Sequence, residues 1–143
     1  MPYEYLEDTA TADVAFEAWN ESLNGTFEAA WDATLNVMVE ELESVEPRME
    51  RTVRAKDPDL DMLLFEFLKE LVYHKDRDQL LLRVSNMRLE RTGEGFELEA
   101  KARGERIDPE RHEMRVDVKA VTLHRFTLEK RDGGWKTTVT LDI

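Results

Sequence analysis

Carboxylates near the two ends of the chain stand out first as residues able to do chemistry. Asp13 opens a stretch in which Val14, Phe16 and Ala18 alternate with Ala15, Glu17 and Trp19. That period-2 pattern predicts a strand with an acid at its mouth. The last eight residues, "KTTVTLDI", alternate in the same way and place Asp142 beside the carboxylate of Ile143. An ordered strand ending on adjacent negative charges calls for a bound cation, a basic partner or solvation alone. Carboxylate oxygens with positions left open for carbonyls and water suit a hard ion such as Ca²⁺ or Mg²⁺. Spacing alone does not show that Asp13, Asp142 and Ile143 meet.

Other chemistries find less support. His74, His112 and His124 are the only histidines, and none has the i, i+4 helical spacing of a zinc motif. His124 is a candidate acid or base, with a half-buried, backbone-bonded ring as the plainer reading. Ser22, Ser44 and Ser85 lie outside any nucleophile-elbow context. The absence of cysteine excludes disulfides, thiolate nucleophiles and cysteine zinc sites.

The elements that must position these groups follow from pattern. With 143 residues, the chain is long enough for one core, and we expect a single domain over 1–143. From Ser22, a plausible N-cap, Leu23, Phe27, Trp31, Leu35, Met38 and Leu42 recur at helical spacing and predict an amphipathic helix covering a sheet. A weaker alternation, Met49 to Ala55, suggests a short strand. In "KDPDLDMLLFEFLKELVYHK", Asp57 is placed as cap and Pro58 at the first helical position. Leu60, Leu63, Leu64, Phe67, Leu68 and Leu71 form the apolar stripe. Met62, Phe65, Val72 and Tyr73 widen it, which implies deep burial or a surface kept for a partner, burial being favoured. His74 is read as meeting the last carbonyls of this helix.

The second half reads as four strands: "LLLRVSNMRLERT", "FELEAKARG", "KAVTLHRFTLEKR" and "WKTTVTLDI". Asp132 and Gly133 suit a type I′ hairpin turn, so Arg131 should face Gly134, Glu129 face Lys136 and Phe126 face Val139. Val121 and Leu123 have the opposite parity to Phe126 and Leu128, so a bulge of one extra residue is expected near His124 and Arg125. Leu141 would then face Leu123, Ile143 would face Val121, and Lys119 would lie just beyond the chain end. The expected fold class is α+β, a mostly antiparallel sheet or sandwich packed with two amphipathic helices.

Charge sets the partners. Twenty basic against 32 acidic residues give a formal net charge of −12. Such a chain is repelled by phosphate backbones, so stable direct nucleic-acid binding is not expected, whereas a basic protein surface is an easier partner. The run "KARGERIDPERHEMRVDVK" is a local basic exception, read as a solvated loop. No segment has the length and apolarity of a membrane span, and "MPYEYLEDTATADV" does not read as a secretory signal, so a cytoplasmic location is expected.

Five stretches taken together, "YEYLE…TADV", "DLDMLLFEFLKELVYHKD", "ARGERIDPERH", "VKAVTLH" and the terminal "LDI", occur in the same order as in the archease family, which the chain resembles over nearly its whole length. The resemblance implies an accessory protein, not itself an enzyme, that promotes guanylylation and multiple turnover of an RtcB-type RNA ligase in tRNA splicing and RNA repair. It implies a divalent ion, Ca²⁺ in the family, bound through Asp13, Asp142 and Ile143, and a functional Lys119. Two positions depart from the family pattern. Asp8, Thr9 and Ala10 stand where the family has one histidine before Thr-Ala-Asp, and Leu123 replaces the usual tyrosine before His124. The rival readings are a free-standing metal-dependent phosphoesterase, with His124 as base and Lys119 stabilising an anion, and a metal-independent acidic scaffold.

Overall fold

In a computed structural model, residues 2–7 and 10–143 are described. Asp8 and Thr9, the inserted positions before Ala10, lie outside them. In chain order the elements are β1 (Tyr3–Tyr5), β2 (Asp13–Asn20), α1 (Leu23–Met38), a 3-10 turn at Leu42–Ser44, β3 (Met49–Asp57), α2 (Leu60–Asp78), β4 (Leu80–Thr92), β5 (Gly95–Arg106), β6 (Ala120–Arg131) and β7 (Gly134–Asp142). All strand pairings are antiparallel. They build a four-stranded sheet, β1-β2-β7-β6, and a three-stranded sheet, β3-β5-β4. The α+β expectation is met, with one core shared by both sheets and both helices.

The first helix departs from the expected one-sided pattern. Ser22 caps it as predicted, its hydroxyl accepting from the Gly25 N–H. Yet α1 touches β2 and β7 of one sheet and β4 of the other, so Ala29, Ala30 and Ala33 are buried along with Phe27, Trp31 and Leu35. Small alanines let a helix lie close to two sheets at once. Thr26 and Thr34 are tolerated there because each hydroxyl donates to a carbonyl four residues back, and the Trp31 indole donates to the Leu82 carbonyl at 2.8 Å. The helix stops at Met38, before Leu42. A crossing segment supplies donors to its last turn, Arg115 N–H to the Met38 carbonyl and Val116 N–H to that of Val37, and Val39 forms a β-bridge with Met114.

Two expectations for the second helix are corrected. Asp57 is the last residue of β3, paired with Phe96, so it cannot be the cap; Asp59 holds that position, and α2 starts at Leu60, beyond Pro58. Asp57 still serves the turn, its carboxylate accepting from the Asp59 N–H at 3.0 Å. At the other end α2 runs past His74 to Asp78 and closes on Gln79, whose left-handed backbone (φ 55) brings its N–H to the His74 carbonyl. The His74 ring therefore caps nothing. Both its nitrogens are buried without a hydrogen bond, Glu70 is 3.9 Å away, and burial lowers its pKa.

The β6–β7 hairpin keeps the expected register from Arg131↔Gly134 to Thr127↔Thr138. Its turn is not type I′, since Gly133 (φ 78) is left-handed but Asp132 is not. The bulge is larger than expected. Pairing resumes at Thr122↔Thr140, so three residues beyond the regular count are accommodated, with Arg125 left-handed (φ 56). One and three extra residues produce the same parity switch, which is why alternation alone did not separate them. Leu123 pays the difference: it is 55% exposed on the bulge, and Leu141 faces Val121 instead. His124 is exposed too, its backbone N–H donating to the Thr122 hydroxyl at 3.3 Å. Phe126 turns back toward the core, edge-on to Phe65 at 5.7 Å.

Candidate functional site

Sheet topology answers what spacing left open. β2 and β7 are neighbours, and their register sets Asp13 directly opposite Asp142. The Ile143 N–H donates to the Ala12 carbonyl at 2.9 Å, which makes the adjacent pair 12/143 the hydrogen-bonded one. Asp13 and Asp142 are then a non-hydrogen-bonded pair, the type that brings side chains closest. Phe16, Ala18, Val139 and Leu141 are on the core face, so alternation sends the two carboxylates to the opposite face. Asp13 is preceded by a turn in which its N–H donates to the Ala10 carbonyl.

Lys119 comes to the same end of the sheet from β6. Because the bulge absorbs three residues, Ala120 pairs with Asp142, and the next positions place Lys119 beside Ile143; the Lys119 N–H donates to the Asp142 carbonyl at 2.8 Å. Its side chain lines a cleft against α2, with Val72, Tyr73 and Val121. The ammonium thus flanks the α2 side of the tip, while Asp13 and Asp142 lie on the other face of the sheet. Among the described residues, no carboxylate is within ion-pair distance of it.

Asp13 and Asp142 are oxygen donors only, so as a pair they suit a hard cation and would leave most of its coordination shell to water, backbone or another molecule. Among the described residues, no three side chains of His, Cys, Asp or Glu gather as a metal cage.

The segment leading to Lys119 is held by residues that pattern reading overlooked. Lys75, buried near the end of α2, donates to the Val118 carbonyl (2.8 Å) and to Asp117 (2.6 Å), and it also contacts Asp76. Burial works against its charge, but the hydrogen bonds it donates to Asp117 and Asp76 prevail and raise its pKa. Its position, four residues after Leu71 on the apolar stripe, was the available signal. Upstream, Glu105 forms a second anchor. It is 4% exposed and takes hydrogen bonds from Arg111, from the Glu46 N–H (2.6 Å) and from His112 Nε2 (3.1 Å), with Arg48 at 3.5 Å. Burial pushes the carboxyl up, but these donors outweigh it and hold its pKa at about 2. His112, fully buried, accepts the Asp108 N–H on Nδ1, so Nε2 carries the proton it gives to Glu105.

The run read as a solvated basic loop is therefore half committed internally. Arg103 pairs with Glu50, Arg111 with Glu105 and Arg115 with Glu40. Lys101, Arg106 and Lys119 of the same run have no ion pair among the described residues, so the free positive charge of the segment lies with them.

Comparison with known proteins places this architecture. The family model described as Archease protein family (MTH1598/TM1083) matches residues 3–143. The archease of Pyrococcus abyssi is 39% identical over 142 residues, covering 99% of this chain and 98% of its own. The archease of Methanosarcina mazei is likewise 39% identical, over 99% and 95%. Among solved structures, protein 1598 of Methanobacterium thermoautotrophicum superposes with a TM-score of 0.85 at 34% identity, covering 99% of both chains. A Thermotoga maritima archease, called a possible chaperone, shares the fold with a TM-score of 0.65 at 21% identity, over 94% of this chain and 93% of its own. The chain belongs to the archease family.

Proposed function

We propose that the chain is a cytoplasmic protein cofactor of an RtcB-type RNA ligase, promoting guanylylation and repeated turnover of that enzyme in tRNA splicing and RNA repair. The observation that carries this reading is the register of β2, β7 and β6, which assembles Asp13, Asp142, Ile143 and Lys119 at one end of one sheet from three separate parts of the chain. A projecting end of that composition suits insertion into a basic, phosphate-binding mouth. The net charge of −12 favours such a partner and makes the association sensitive to salt.

In this reading Asp13, Asp142 and the carboxylate of Ile143 hold a divalent cation, Ca²⁺ or Mg²⁺. When bound, the ion supplies positive charge that can neutralise phosphate oxygens. The chain's own residues orient it: the Ile143-to-Ala12 and Lys119-to-Asp142 backbone bonds fix the positions of the donors, and Lys119 offers a separate cation to nucleotide phosphate. Ala10 and Leu123 remove the imidazole and phenol found in the family pattern, so neither group has a part in the proposal.

The test is single-turnover guanylylation of a cognate ligase by GTP, with the wild-type chain, Asp13→Ala and a form lacking Asp142 and Ile143, each checked for folding by circular dichroism. Stimulation by wild type that both variants lose supports the reading. Stimulation retained in Asp13→Ala refutes the role of the tip. Steady hydrolysis of a phosphate ester without ligase would instead favour the free-standing enzyme.

A further inference from the structure

The widened stripe of α2 is not wholly buried. Val72 is in the core, but Tyr73 is 46% exposed, and together with Phe65, Lys69 and Arg77 it walls a cleft of about 490 Å³ whose other side is Lys119, Ala120 and Val121. The floor is apolar, made by Val72 and Val121 with the edge of Phe65. The rim is cationic. Arg77 donates to the Tyr73 hydroxyl and stacks over that ring at 5.8 Å, and Lys69 sits over the Phe65 ring at 5.3 Å.

Direct ion pairing to these cations is sparse, although the adjacent Asp78 charge acts on Arg77. Among the described residues, neither Arg77 nor Lys119 has a carboxylate within ion-pair distance, and Lys69 has only Glu66 at 3.4 Å. Asp76, the one acid on the rim, already faces the buried Lys75 ammonium. A locally cationic, aromatic cleft on a chain of net charge −12 is an exception that the overall composition does not account for.

We propose that this α2–β6 cleft binds a mononucleotide, its base against Tyr73 and its phosphate between Arg77 or Lys69 and Lys119. Lys69 and Arg77 are eight residues apart, about 12 Å along the helix axis, with Tyr73 midway. That arrangement fits a flat ring and an anionic group carried by one small molecule, and the cleft volume falls in the range of small-ligand pockets, roughly 300–1,000 Å³. A small ligand is favoured over a polyanion on electrostatic grounds. An RNA strand or acidic peptide must also run over the surrounding acidic surface, whereas a mononucleotide lies within about one Debye length, ~8 Å, of the cleft cations. The inference shares Lys119 with the ligase reading but needs neither partner nor metal, so binding by the isolated chain in chelator tests it separately.

The experiment is calorimetric titration of the isolated chain with the four nucleoside 5′-monophosphates in the presence of chelator, with amide NMR shifts mapping the site. Saturable binding with a Kd on the order of 1 mM or tighter is expected. Shifts should concentrate in Phe65, Lys69, Tyr73, Arg77 and Lys119–Val121. Tyr73→Ala and Arg77→Ala should each weaken binding about tenfold, the scale of one base–aromatic contact, and the unphosphorylated nucleosides should fail to bind. Both side chains are at the surface, so folding is retained and is verified by the unshifted core amides. The proposal is overturned if no nucleotide binds, if binding is indifferent to both substitutions, or if an acidic peptide or short oligoribonucleotide occupies the cleft more tightly than the mononucleotides.

Discussion

Glu105→Gln tests whether the anchor upstream of Lys119 is electrostatic. The substitution keeps shape and most hydrogen-bonding capacity but removes the charge facing Arg111 and Arg48. A carboxyl held at about 2 against an ordinary 4.5 has a ceiling of about 3 kcal/mol of pH-linked stabilisation. Arg48 and Arg111 are 63% and 36% exposed in their side chains, so solvent screening lowers the expectation to about 1.5 kcal/mol. The sign follows from which state holds the proton. The folded value lies below the unfolded one, so the contribution is complete above about pH 4.5 and is lost as pH falls through about 2. Urea unfolding, followed by circular dichroism from pH 7 down to about 2.5, should find the variant less stable at pH 7 and the gap to wild type closing by about 1 kcal/mol, most of that contribution, at the acid end. The other carboxylates are common to both proteins and cancel in the difference. A gap that stays constant over that range would refute a depressed, charge-paired Glu105.

Asp142→Asn removes one of two like charges facing across β2 and β7, and it should raise metal-free stability by a few tenths of a kcal/mol while abolishing any Ca²⁺-induced rise in Tm. Gly104→Ala should cost about 3 kcal/mol or more in thermal or urea unfolding, because a Cβ on this central strand would come 1.7 Å from the Leu81 carbonyl oxygen. Lys75→Met should lose about 2 kcal/mol at pH 7, the worth of its charged hydrogen bonds to Asp117 and Val118. Its pKa is raised in the folded state, so this deficit should persist from neutral pH up to 10.5, where Asp117 and Asp76 are ionised, and be lost as pH rises through the folded value.

How far the sequence disclosed this arrangement depended on which physical signal a residue left. The β6–β7 register was legible because a two-residue Asp132-Gly133 loop fixes every pair that follows by counting; Glu129 and Lys136 do fall opposite each other, but their side chains pair with Arg131 and Glu17 instead. The bulge was legible as a parity change but not as a length, and Leu123 was taken for a core residue because it is apolar. The helix caps split by context. Ser22 has no competing role, whereas Asp57 was claimed first by the β3–β5 ladder. Glu105, Arg111 and His112 looked like a charged loop because buried ion clusters and solvated ones have the same composition; only tertiary packing separates them. Asp13 and Asp142 were each visible as acids at strand ends. That β2 and β7 are neighbours is a choice of topology that alternation does not encode, and the family resemblance supplied what periodicity had left open.

The pairing of Asp13 with Asp142 gives a physical reason for the order of residues 142–143. Like charges facing across a non-hydrogen-bonded pair disfavour the ladder by roughly 0.2–1 kcal/mol. The tip resists fraying because it is tied on both sides, by Ile143 to Ala12 and by Lys119 to Asp142, at about 1 kcal/mol for each backbone bond. The second tie exists only because the β6 bulge takes up three residues and Lys75 grips Val118, delivering Lys119 to the right level. Bulge, buried ammonium and acidic pair therefore act as one device: the first two hold in place a charge arrangement that would otherwise loosen the sheet end. Under the proposed function, a cation or basic surface would meet donors already positioned, so little ordering entropy would oppose binding. This is the advantage that a flexible tail carrying the same two acids would lack.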